Sequence, residues 1–460
     1  MTTSLLRAVI LSLSTALLLS CGGGGGGGGG SVALAPGGGS AIGSSGAGGA
    51  TTNPGGAGGG DTGIGGIGSA DGVGGTGGTD GGGTSGDGSS TSASNGDDGS
   101  GVGSGGTGVS TAAATGVGSV DGAGSIIVNG LRYDTTNAVG NIQDAPTGLQ
   151  LGMSAKVIGP VNADFTSGVA LRVESAADLR GPMTPLPGGS FEILGTTVTT
   201  DDATVWADAS GLAAIPSGRT LQVWGLPAGP GMLRATRVEQ REASSPILSG
   251  TVQNLDTSAR TFVIGGVTVD YGAAAAGGSV EVQALANGTL VRVRADAFAS
   301  SRLIATRVAL WYPLPTANDA TVQLAGVVTA YTGLGSLRVL GVPVDASAAQ
   351  ITGGPIGAVG NGVKVTVGGV MSNGVLKATR LKIRNVPGTG GPASFDLIGA
   401  VGAFGSPSDF RVKGQPVNAG GAGVVFTNGS AANLRNGVKV HVVGRQVIDG
   451  VLQAQSVTFE

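Results

Sequence analysis

The stretch Ser336-Leu337-Arg338-Val339-Leu340-Gly341-Val342-Pro343-Val344 decides the fold. Apolar positions alternate, a glycine interrupts, and the alternation resumes at Val344, the pattern of two short strands joined by a tight turn. The same signature returns as Phe191-Glu192-Ile193 before Gly195, Phe262-Val263-Ile264 before Gly266, and Phe410-Arg411-Val412 before Gly414. Each re-enters an apolar position, at Val198, Val269 and Val417. A first glycine opens each unit, at Gly116, Gly181, Gly250, Gly326 and Gly399. The second lies at Gly130, Gly195, Gly266, Gly341 and Gly414, and a third at Gly152, Gly218, Gly288, Gly362 and Gly437. Three landmarks advancing together in steps of 65 to 76 residues mark a tandem repeat.

The rest of each unit also reads as strand. The third glycine leads into Leu221 and Val223, Val291 and Val293, Val365 and Val367, or Val440 and Val442. The unit closes on a Leu-x-Ala-x-x-Val pattern such as Leu233, Ala235 and Val238, preceded in two repeats by Asn373-Gly374 and Asp449-Gly450, good hairpin turns. No amphipathic helix of three turns or more follows the leader segment. The pattern predicts an all-β chain with four or five short strands per repeat. The simplest closure is a small barrel, which leaves no strand edge exposed.

With these glycines and apolar positions, residues 116–460 resemble a bacterial repeat family catalogued as domain of unknown function 5666. That resemblance implies five tandem small OB-like β-barrel modules, over 116–180, 181–247, 248–322, 323–395 and 396–460. It implies no activity. The first unit departs from the pattern with a shortened final hairpin at Ser167-Gly168, and the third has Ala295 where the others have Gly159, Gly225, Gly369 and Gly444.

Residues 1–20 read as a lipoprotein signal peptide. Arg7 supplies the positive flank, and the apolar run Ala8–Leu19 is too short to span a bilayer, which takes about 20 residues. The run ends in Leu18-Leu19-Ser20-Cys21, which resembles the bacterial lipoprotein cleavage box. The resemblance implies cleavage before Cys21 and lipidation of its thiol. Cys21 is the single cysteine of the chain, so no intramolecular disulfide can form. Gly22 follows it, which by the same resemblance implies sorting to the outer membrane of a Gram-negative bacterium. The sequence leaves two orientations open, periplasmic and surface-facing.

Residues 21–115 are mostly Gly, Ser, Thr and Ala with scattered Asp and no Lys, Arg or aromatic residue. Such a composition predicts a disordered tether, because it cannot bury enough apolar surface to offset the entropy of ordering. A flexible chain of this length reaches on the order of 50–60 Å. Gly74-Gly75-Thr76-Gly77-Gly78-Thr79-Asp80 misses the calcium-binding β-roll spacing, so no metal site is expected there.

Chemistry-bearing residues are scarce. The lone histidine, His441, sits between Val440 and Val442, so alternation predicts that it faces solvent. Lys156, Gln222, Arg292 and Thr366 hold the same position in the other repeats, which reads as a solvated face. With His441 on that face and Cys21 at the lipidation position, neither is left for a Ser-His-Asp or Cys-His nucleophile, and one His and one Cys are too few for a His/Cys zinc site. Asp201 and Asp202 are adjacent, so their side chains diverge along a strand. We therefore expect no enzyme and no cofactor. Aromatic residues are 3% of the chain. Setting aside Arg7 and the six tether aspartates, the repeats are close to neutral. Both facts speak against nucleic-acid binding, which needs stacking platforms and a basic groove. One basic feature recurs. Arg172, Arg237, Arg307 and Arg380 each precede the last apolar residue of their repeat. Alternation places them on the outer face as a candidate contact stripe. The sequence thus predicts a lipid-anchored, non-catalytic structural or adhesive array. Its partners would be the membrane, through the anchor, and envelope polysaccharide or envelope proteins. The alternative is a carbohydrate- or polyanion-binding protein that uses the arginine stripe.

Overall fold

The computed structural model describes residues 113–460 apart from 282–284 and 392–394. The expected signal peptide, the cleavage box Leu18, Leu19 and Ser20 with Cys21, and the tether up to residue 112 lie outside the described residues. The described residues belong to one compact unit. They are β throughout, relieved by four short 3-10 turns and one five-residue helix, Gly272–Ala276.

The fourth repeat shows how the sequence pattern becomes structure. Its strands are Thr321–Gly333, Ser336–Val339, Val342–Asp345, Gln350–Thr352, Lys364–Ser372 and Val375–Asn385. Leu340 and Gly341 carry the turn between Ser336–Val339 and Val342–Asp345, both with positive φ, at 53° and 78°. Two consecutive left-handed residues give the turn whose twist matches the flanking strands, and glycine takes that geometry at no steric cost. Leu194-Gly195 and Lys413-Gly414 repeat it. Val342–Asp345 and Gln350–Thr352 run parallel to Val375–Asn385, which is antiparallel to Lys364–Ser372. The apolar alternation lands where it should: Phe191, Phe262 and Phe410 are fully buried.

The expectation of five OB-like barrels is corrected. The all-β class holds, but the chain winds as a β-solenoid of about nine turns rather than as barrel modules. Strands of different repeats join in continuous sheets of 19 and 12 strands. Ala114–Ala123 of the first repeat runs parallel to Thr321–Gly333 of the fourth and Phe395–Ser406 of the fifth. Leu179–Pro185 pairs with Ile247–Thr251 across the second and third. The apolar interior follows the same division. The first and fifth repeats share one core, the second and third another, and the fourth takes in Val117, Leu226, Trp311 and Tyr312 from elsewhere. The physical reason is size. A unit of about 70 residues sits near the lower limit for an independent core, so it gains by burying surface against its neighbours.

Candidate functional site

The position shared by Lys156, Gln222, Arg292, Thr366 and His441 is not the solvated face that alternation predicts. The first four are buried, and His441 is half-buried. Their strands turn these side chains toward neighbouring strands and repeats, where most find polar partners. Lys156 Nζ lies 3.4 Å from Glu174. Gln222 accepts from Arg180 Nε at 2.8 Å and donates to the Asp144 carbonyl at 3.0 Å. His441 Nε2 is 2.8 Å from Asp396 Oδ1. The Thr366 hydroxyl has no partner among the described residues.

Arg292 leads to the most concentrated polar cluster. Its guanidinium donates to Asp178 Oδ1 at 2.8 Å and lies 4.9 Å from the centre of the Tyr312 ring. Asp178 is completely buried. Its carboxylate also accepts from Trp311 Nε1 at 2.6 Å, from Ser154 Oγ at 2.8 Å and from the Gly225 N–H at 2.8 Å. A β-bulge between Trp224 and Gly225 breaks the ladder there, which releases that N–H to the carboxylate. The Tyr312 hydroxyl donates to the Ser154 carbonyl at 3.0 Å and accepts from the Ala176 N–H at 3.2 Å. Residues of three repeats thus converge on one carboxylate. Burial opposes the Arg292 charge, but the Tyr312 hydroxyl and the Asp178 carboxylate more than offset it, and its pKa stands above the ordinary value. Burial pushes the Tyr312 phenol up.

A second junction centres on Asp144, which meets Arg180 at 2.8 Å and Arg294 at 2.7 Å. Burial raises its pKa, yet the hydrogen bond and charge of Arg294, with the charge of Arg180, outweigh that and hold it below the usual carboxylate range. A third is the buried pair Arg384–Asp121 at 2.8 Å, between the fourth and first repeats. Asp201 and Asp202 lie in a turn between strands rather than along one, and they go to different partners, Arg234 at 3.1 Å and Asn385 at 2.7 Å.

The four arginines of the expected stripe do not share one environment. Arg172 is exposed, Arg307 and Arg380 are half-buried, and carboxylates lie beside them: Glu174 at 3.6 Å, Glu281 at 2.7 Å and Asp164 at 2.5 Å. Arg237 is buried, which corrects its expected outward placement. It pairs with Glu239 at 2.6 Å and donates to the Leu151 carbonyl at 3.0 Å. Alternation fails there because the first repeat covers that face of the second. Burial lowers the Arg237 pKa.

A cleft of about 1060 Å³ opens where the first, second and fifth repeats meet. The strand Val139–Ile142 contributes Gly140 and Ile142, the second repeat contributes Arg237, and the hairpin of the fifth contributes Arg411 and Lys413. Sequence reasoning missed this cleft, as it missed Asp178 and Asp144. For Asp178 a signal exists: a lone acid in the apolar run Ala176-Ala177-Asp178-Leu179. For the cleft none exists, since its walls come from distant parts of the chain.

Fold and junctions together define an all-β repeat protein whose repeats are joined through buried polar contacts. A model of the domain of unknown function DUF5666 matches residues 180–239, 249–309, 325–382 and 398–458. These four tandem matches cover just over half of the chain, which belongs to this family. No curated protein matches it.

Proposed function

We propose that the chain is a lipid-anchored protein of the Gram-negative cell envelope, most consistent with the outer membrane, acting as a non-catalytic structural or adhesive array. The observation that carries this reading is how its charged groups are used. Asp178 with Arg292, Asp144 with Arg294 and Asp121 with Arg384 pair across repeat boundaries, a use that favours a stiff, continuous surface over chemistry at a centre. The cleavage box with Cys21 supports the anchor, and repetition would multiply weak contacts. The polyanion reading draws less support, because Arg172, Arg237, Arg307 and Arg380 already have carboxylate partners. The test is metabolic labelling with an alkyne fatty acid, comparing wild type with Cys21→Ser. The reading expects label on the wild type, none on the variant, and release of the variant from the membrane fraction. An unlabelled wild type would overturn the anchor.

A further inference from the structure

The strand Val139–Ile142 has one partner among the described residues, Arg172–Ser175, to which it runs parallel. The Val139 N–H donates to the Leu171 carbonyl at 2.9 Å, and the Gln143 N–H to the Ser175 carbonyl at 2.8 Å. Hydrogen bonding alternates along a parallel strand, so the backbone groups of Gly140 and Ile142 face the other way. That open edge borders the 1060 Å³ cleft, which both residues line. Val139, Gly140 and Asn141 are all exposed, so a second backbone can approach the strand. An unpaired edge of this kind is a template for an added strand.

The fifth repeat supplies the charge. Arg411 and Lys413 are exposed on the cleft lining, and neither enters an ion pair among the described residues. Arg411 holds only the Gly414 carbonyl of its own turn, at 2.9 Å. Asp134 and Asp449 also line the cleft, but Asp134 is engaged by the Thr136 N–H and hydroxyl at 2.9 and 2.7 Å. No aromatic side chain is on the lining, so a sugar ring has no stacking platform. We propose that the cleft binds an extended acidic segment of another protein, added as a strand on Val139–Ile142, with its carboxylates reaching Arg411 and Lys413. The inference rests on the cleft alone and is independent of lipidation, so Cys21→Ser leaves it unchanged.

The test uses the purified full chain and a fluorescent decapeptide of alternating Thr and Glu, read by anisotropy. Three controls accompany it: the same peptide N-methylated at alternate residues, a Thr-Lys peptide, and a heparin fragment. The Thr-Glu peptide should bind in a salt-sensitive way, and both other peptides should fail. Gly140→Pro removes an edge donor without touching the ladder to Arg172–Ser175 and should weaken binding about tenfold. Arg411→Ser with Lys413→Ser, on the rim, should do the same with the fold intact. Equal binding of the N-methylated peptide would overturn strand addition. Binding of heparin without the Thr-Glu peptide would reassign the cleft to an anionic glycan and overturn the proposal.

Discussion

A carboxylate without solvent contact needs donors, and Asp178 has four: Ser154 Oγ, the Gly225 N–H, Arg292 and Trp311 Nε1. Removing it strands a buried guanidinium and an indole N–H. Asp178→Ala should therefore cost about 3–5 kcal/mol in urea denaturation followed by tryptophan fluorescence. A loss below about 1 kcal/mol would mean the cluster is relieved by water. At His441, the hydrogen bond that the ring donates to the Asp396 carboxylate raises the pKa above the ordinary 6.5. Burial and Arg132 oppose that shift, and Glu460 assists it. The pair's stabilisation is thus fully present below pH 6.5 and fades as pH rises through the elevated value. His441→Gln should cost more at pH 5 than at pH 8, by at most about 1 kcal/mol because the pair is partly exposed. An equal cost at both pH values would count against the pairing. Alternation told correctly that His441 and its counterparts point away from their own core. It could not tell that other strands and repeats lie there.

Strand and turn were the most legible element-scale features, since both are local. The recurring glycine at 159, 225, 369 and 444 is a case where structure supplies the reason. In the second, fourth and fifth repeats it sits at a register shift in the long closing hairpin, where a Cβ would press on the partner strand's carbonyl. At Gly369 that Cβ would lie 2.0 Å from the Lys377 carbonyl oxygen. Gly369→Ala should destabilise by about 1–3 kcal/mol, as overpacking of a close contact does. The third repeat carries Ala295 at this point; its hairpin shifts register before and after that residue, as the fifth does around Gly444, so register does not explain the difference, yet the methyl is accepted there. Ala295→Gly should accordingly change stability by less than about 1 kcal/mol. Thermal unfolding of the two variants checks both, and a silent Gly369→Ala would refute the close-approach explanation. What the pattern could not supply was pairing. A period of two gives the buried face of a strand but not the neighbour that completes its ladder. The joining of Ala114–Ala123 to strands more than 200 residues away was therefore invisible.

For the whole molecule, the repeat period was legible and the assembly of repeats was not. Equal spacing of glycines reads as equal, separate units, whereas the apolar cores are shared between repeats and the sheets run on through their boundaries. The cleft was hidden for the same reason, as its basic wall and its open strand edge come from opposite ends of the repeat region. A stiff envelope array requires that load applied at one repeat be borne by the others, and the buried ion pairs between repeats are the links that would bear it. Hydrogen exchange on full-length Asp178→Ala, resolved by peptide, measures this most directly. If the repeats act as one body, protection falls together in Ser154–Gly159 of the first repeat, Thr220–Gly229 of the second and Leu290–Ala299 of the third. If exchange rises only around Leu179–Pro185, while Ser154–Gly159 and Leu290–Ala299 keep wild-type protection, the repeats are independent and the account of a continuous array is wrong.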